Sequence, residues 1–117
     1  MVTDENTALS CGSGGLPVYA TPAMAALMEG ACTAALEHLP EGFSTVGTEL
    51  AVTHLSATPL GLRVRAVGEL VSVDNRTLRF KVEAFDEAGK IGEGAHTRFI
   101  IENEKFMRKA LSKKRPE

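Results

Sequence analysis

Residues 21–39 read Thr-Pro-Ala-Met-Ala-Ala-Leu-Met-Glu-Gly-Ala-Cys-Thr-Ala-Ala-Leu-Glu-His-Leu, and the fold turns on how that stretch is buried. Thr21 suits an N-cap. Pro22 suits the first helical position, where a missing N–H has no intrahelical partner to lose. The run from Ala23 to Leu39 then reads as helix and stops before Pro40 and Gly42. It is apolar nearly all round, which predicts burial on most sides. Glu29, Thr33 and Glu37 recur every four residues and share one polar stripe.

Beyond the helix the chain alternates. Val46 to Ala57 places Val46, Leu50, Val52 and His54 on one face and Glu49, Ala51 and Thr53 on the other. Thr58-Pro59-Leu60-Gly61 turns the chain into Leu62 to Val73, where Gly68 is expected to mark a bulge. After the turn at Asp74-Asn75-Arg76, Thr77 to Asp86 sends Leu78, Phe80, Val82 and Ala84 inward. Lys90 to Glu102 is the last strand, and Asn103 to Lys114 closes the chain as a basic helix. Leu16 to Ala20 adds a short strand or turn before the main helix. A helix followed by four strands predicts an α+β domain, its antiparallel sheet a meander curled around the helix.

The ends differ from the body. Residues 1–16 read as a flexible leader, because Ser10-Cys-Gly-Ser-Gly-Gly15 has no periodicity and high backbone freedom. The domain proper spans 17–104, and 105–117 is a basic helix or tail. That tail carries six basic residues against one acidic, a net +5, so the rest of a chain of formal charge −2 stands at −7. Its simplest reading is a solvated terminus, and it can also attract a polyphosphate.

Several classes are excluded by the composition. A net charge of −2 argues against nucleic acid as partner. Asn6 to Met28 is uncharged, but its Ser, Thr, Gly and Pro residues argue against a membrane span. The acidic start, Met-Val-Thr-Asp-Glu, lacks the positive region of a signal peptide, so a cytoplasmic protein is expected. Cys11 and Cys32 then read as free thiols, Cys32 most simply as a small buried hydrophobe. With no CxxC, neither a zinc site nor any other metal or cofactor is expected. At 117 residues and 5% aromatic content, the core is built from alanine and aliphatic side chains, with little room for a private cavity.

Three side chains stand out as chemical candidates. Glu29 lies mid-helix among apolar residues, and burial there would raise its pKa to suit a base or nucleophile working near neutral pH. The plainer reading is the solvated 29/33/37 stripe. His54 ends a core-facing row near the sheet rim and is suited to shuttling protons, though a satisfied rim histidine is the plainer reading. The hydroxyl of Thr21 is already occupied if it caps the helix; as a functional group it would orient water or act as a nucleophile beside a base. Gly92-Glu-Gly94 with His96 and Arg98 is a weaker signal. It lies inside a strand, so it is no dinucleotide fingerprint. Its glycines permit close backbone approach, and a cross-strand pair with Glu accounts for His96 and Arg98.

Taken together, Tyr19-Ala-Thr21-Pro-Ala-Met-Ala-Ala-Leu-Met-Glu29, Gly47-Thr-Glu-Leu-Ala-Val-Thr-His54 and Ser56-Ala-Thr-Pro-Leu-Gly61 resemble the hot-dog-fold thioesterases of the fluoroacetyl-CoA thioesterase type. Ile91-Gly-Glu-Gly-Ala-His96-Thr-Arg98 fits the last strand of the same family, and the match runs from about Val18 to Ile101. The resemblance implies a helix wrapped by an antiparallel sheet, joined edge to edge with a second copy as a homodimer or higher homo-oligomer. It implies hydrolysis of a small acyl- or aryl-CoA at the subunit interface. It places the catalytic groups at Thr21, Glu29 and His54, and substrate binding at Gly47 and Arg98. The leader departs from the pattern: fluoroacetyl-specific members carry lid phenylalanines, and 10–15 has no aromatic residue, so fluoroacetyl selectivity is not implied. The rival readings are a non-catalytic acyl-CoA-binding or regulatory protein of the same fold, and a hydratase. The trio of Thr21, Glu29 and His54 favours the enzyme, and the Asp/His pair a hydratase needs is not evident.

Overall fold

A computed structural model of the chain describes residues 1–36 and 39–114. Glu37 and His38, and with them part of the expected helix and the third member of its polar stripe, lie outside the described residues, as do 115–117 of the tail. The elements run α1 (Ala8–Cys11), α2 (Thr21–Ala34), β1 (Phe43–His54), β2 (Val64–Asp74), β3 (Thr77–Asp86), β4 (Lys90–Glu102) and α3 (Asn103–Leu111), with a 3₁₀ turn at Asp4–Asn6. The bounds of β3 and β4 are those expected from alternation.

The sheet is antiparallel throughout, but its order is β1-β4-β3-β2. Only β2, β3 and β4 form a meander. The chain leaves β1 at one edge, crosses to β2 at the other, and returns so that β4 pairs with β1 along its whole length. The expected four-strand meander is therefore corrected, because alternation defines strands and not their neighbours.

Packing depends on a few close approaches. Met24, Met28 and Cys32 sit at successive turns of α2 and are fully buried against Leu78, Phe80, Val82, Ala84 and Ile91. Each buried methionine contributes about 2 kcal/mol. The helix lies this low because the strands beneath it carry glycine. A Cβ on Gly68 would meet the main-chain N and Cα of Cys32 at 3.0 and 3.2 Å, and one on Gly92 would meet Met24 Sδ at 2.5 Å. Gly68 is thus a packing residue; the irregularity in β2 falls between Leu70 and Ser72.

Burial of α2 is one-sided. Ala26, Gly30, Thr33 and Ala34 are exposed, against the expectation of a helix enclosed on most sides. The molecule measures 43 × 42 × 21 Å, and its thin dimension holds one sheet and one helix layer. A single sheet face covers only one side of a helix. The helix also stops at Ala34, short of Leu39, and Ala35 and Leu36 continue as a turn.

Residues 1–16 carry built structure where a flexible leader was expected. Val2 is buried and its N–H donates to Leu62 O at 2.8 Å. Thr7 bridges Tyr19, Val18 bridges Pro59, and Gly12 ends α1 with φ 71°. The expected strand at 16–20 amounts to these two bridges. At the other end α3 buries no residue. Among the described residues, no helix is long and apolar enough to cross a membrane.

Candidate active site

Thr21 is not the N-cap of α2. Ala20 holds that position with extended backbone, and Thr21 and Pro22 open the first turn. The hydroxyl is therefore free of capping, and Thr21 Oγ1 lies 2.8 Å from His54 Nδ1. His54, the last residue of β1, is half-buried, and Tyr19 packs edge-on against its ring. Its other nitrogen, Nε2, is buried with no hydrogen-bond partner among the described residues. Burial pushes the imidazole below its ordinary range, and the Ser56 backbone offsets part of that. A cleft of about 310 Å³ opens beside it, lined by Ala8, Ser13, Tyr19, Thr21, His54 and Ser56 among others.

Glu29 belongs to a second cluster. It lies eight residues along α2 from Thr21, about 12 Å along the helix axis. Its side chain is 44% exposed, so it is not the buried carboxylate that its apolar neighbours suggest. Thr33, the next stripe residue, spends its hydroxyl on Glu29 O at 2.8 Å. Beneath Glu29 lies Gly47. A Cβ there would stand 3.0 Å from Glu29 Oε1, 3.0 Å from His96 Cε1 and 3.3 Å from Arg98 Nη1. The backbone of Gly47 thus lies flat against three polar side chains.

A bulge brings Gly47 into that position. Gly47 pairs with Arg98 and Glu49 with Thr97, leaving Thr48 as an extra residue in β1. The extra residue reverses the alternation. Val46 pairs with exposed Phe99, so it lies on the face opposite Leu50, Val52 and His54, contrary to the uninterrupted pattern. Thr45 and Gly47 turn inward instead.

Arg98 is buried, and its donors are engaged within the fold. Nε donates to Thr45 Oγ1 at 2.8 Å, Nη2 to Thr45 O at 2.9 Å and Nη1 to His96 Nε2 at 3.1 Å. The weak Gly-Glu-Gly-x-His-x-Arg signal thus marks a buried polar network. Thr45 carried no signal at all. The useful clue was two large polar residues on the inward-facing positions of one strand.

The family model for fluoroacetyl-CoA-specific thioesterase matches residues 2–104. The chain belongs to this family. A fluoroacetyl-CoA thioesterase of Streptantibioticus cattleyicolor is 44% identical over 97 residues, covering 82% of this chain and 70% of that protein. A solved structure of the fluoroacetyl-CoA thioesterase FlK superposes with a TM-score of 0.90 at 38% identity, over 97% of this chain and 90% of that one. A hot-dog-like protein from Thermanaerovibrio acidaminovorans, 21% identical, superposes with a TM-score of 0.88 over 99% of this chain and 87% of its own. The fold is a hot-dog of α+β class.

Proposed function

We propose that the protein is an acyl-CoA thioesterase, hydrolysing a small acyl- or aryl-CoA to free acid and CoA at a site completed between two copies of the chain. The observation that carries this reading is His54 at the wall of a cleft, its Nδ1 2.8 Å from Thr21 Oγ1 and its buried Nε2 without a side-chain partner among the described residues. A polar ring atom without a partner is costly, and a substrate that bonds to it removes the cost.

The two clusters do not meet within one protomer. Gly47 and His54 pair with β4 residues six apart, about 20 Å of strand. Strand β1 is a long edge strand, which a second copy can cover. Antiparallel pairing about an axis at Ala51, with Thr48 skipped as the extra residue of the bulge, sets His54 opposite the partner's Gly47. The exposed side of α2 then faces the second copy.

In the proposed reaction the thioester carbonyl accepts from Gly47 N–H, with the buried Arg98 charge behind it. Glu29 takes a proton from water as the water oxygen adds to the carbonyl carbon. Thr21 donates to His54 Nδ1, which keeps the ring proton on Nε2. That proton passes to sulfur as the carbon–sulfur bond breaks. The proton on Glu29 returns to His54 through solvent, so water adds across the thioester and both side chains end as they began.

The test is thiol release from a panel of short, branched and aromatic acyl-CoAs. Glu29→Gln is expected to abolish turnover with an unchanged fold. Specific activity is expected to fall on dilution as dimers dissociate. No release from any substrate refutes the reading in favour of a binding protein, and a monomer of full activity refutes the shared site.

A further inference from the structure

His96 contributes no surface to the cleft at His54. Its side chain is fully buried, so it meets neither solvent nor substrate directly. Yet this ring touches the backbone on both sides of the β1 bulge. Its Nδ1 is 2.8 Å from Glu49 O, and its Cε1 lies against Gly47. A carbonyl oxygen only accepts, so Nδ1 carries the ring proton, and Nε2 then accepts from Arg98 Nη1. On the opposite side of the bulge Thr48 Oγ1 donates to Thr97 O at 3.2 Å. Glu29 Oε1, 3.9 Å from Nε2, is too distant for a hydrogen bond.

We propose that His96 is a positioning residue that sets the carbonyl-polarising N–H of Gly47 by holding the β1 bulge through its bond to the Glu49 carbonyl. The inference rests on the thioesterase reading for the role of Gly47. An extra residue in a strand leaves ladder groups unpaired and the local backbone free to adopt more than one arrangement. A ring clamped by Arg98 on one side, donating to Glu49 O and packed on Gly47, selects one arrangement. The bond to Arg98 fixes the tautomer, and the bond to Glu49 does the positioning.

Three substitutions separate these bonds. In His96→Asn the amide nitrogen stands near the Nδ1 place and still donates to Glu49 O. In His96→Gln the amide oxygen reaches towards the Nε2 place and serves Arg98 alone. His96→Phe keeps the ring volume and loses both bonds. With the best acyl-CoA of the panel, kcat is expected to fall about a hundredfold in the Phe and Gln variants, as on loss of one oxyanion donor. KM is expected to stay within about threefold, and Asn is expected to recover most of the loss. Wild-type kcat in the Phe or Gln variant, or recovery by Gln and not by Asn, overturns the proposal. So does an Asn variant as impaired as Phe. Imidazole nitrogen NMR of the wild-type protein tests the same geometry without substitution: protonated Nδ1 with bare Nε2 is expected, and the opposite tautomer refutes it. If the wild type releases no thiol, the thioesterase reading fails. The tautomer and the Gly47 amide shift in His96→Gln then still decide whether His96 holds the bulge.

Discussion

Thr21 Oγ1 stands 2.8 Å from His54 Nδ1, although Thr21 opens a helix and His54 ends a strand 33 residues later. The contact exists because Ala20 takes the capping position and leaves the threonine hydroxyl for the imidazole. Thr21→Val is expected to lower kcat about ten- to a hundredfold, the usual share of a group that assists proton transfer. Stopped-time thiol assays check it.

The same ring makes a pH prediction. Burial lowers the His54 pKa from 6.5, so at neutral pH the imidazole is uncharged. Proton donation from a neutral ring does not weaken as pH rises, and kcat/KM is expected to stay level from about pH 7 to 8.5. A fall across that range would make the imidazolium the acid. The linked stability effect has the opposite limb. A depressed histidine pKa favours the folded state fully above the unfolded value, and that contribution is lost as pH drops through 6.5 towards the folded value. His54→Gln is expected to flatten that slope in denaturant titrations.

At Gly47 an added methyl group fits only if its neighbours give by a few tenths of an ångström. Gly47→Ala would push on Glu29, His96 and Arg98 together. A loss of about a hundredfold or more in kcat is expected, by displacement of the proposed oxyanion donor. Circular dichroism distinguishes this from unfolding, and an active Ala variant would remove Gly47 from the site.

The glycines under α2 differ in what they meet. At Gly92 a Cβ encounters the thioether end of Met24, which can swing aside; at Gly68 it encounters the Sγ of Cys32 and, just behind it, that residue's main chain. Gly68→Ala is therefore expected to destabilise by about 2 to 3 kcal/mol and Gly92→Ala by less, about 1 kcal/mol. Chemical denaturation of both variants ranks them, and the reverse order would contradict the packing described.

How much of this was legible in the residues varies with the cause. Leu78, Phe80, Val82 and Ala84 alternate without interruption, and β3 lies where they place it. The phase of Val46 was not legible, because Gly47, Thr48 and Glu49 are all tolerated on either face and the bulge leaves no mark. Strand order depends on which edge β4 returns to, a tertiary choice that alternation does not encode. Alanine at 34 and 35 carries no stop signal, so the helix end was placed too late. The trio of Thr21, Glu29 and His54 is proposed from the family pattern, whereas the contacts of Thr45 and His96 required coordinates.

A polar tie outside the site supports the loop after β1. Thr58 is fully buried and donates to Asp86 Oδ2 at 2.7 Å, while Asp86 Oδ1 accepts from Ala88 and Gly89 N–H. The Thr58 bond, followed by those backbone donors, holds the Asp86 carboxyl below its usual 3.8. That stabilisation is present above the unfolded pKa and is lost as pH falls through 3.8 towards the folded value. Thr58→Val is expected to cost about 1 kcal/mol and to weaken this acid dependence. Thermal melts at several acid pH values check both.

The bulge at Thr48 makes the length of β1 as consequential as its composition. Thr48 is exposed, so exchanging its side chain alters little of the inner face. Excising the residue would shift everything before it by one position. Val46 would turn inward, and Gly47 would leave its place against Glu29, His96 and Arg98. A library of point variants would score position 48 as permissive. A single-codon deletion there would be among the most damaging changes in the gene. At position 48 the number of residues, rather than the side chain, sets which of the preceding residues face inward.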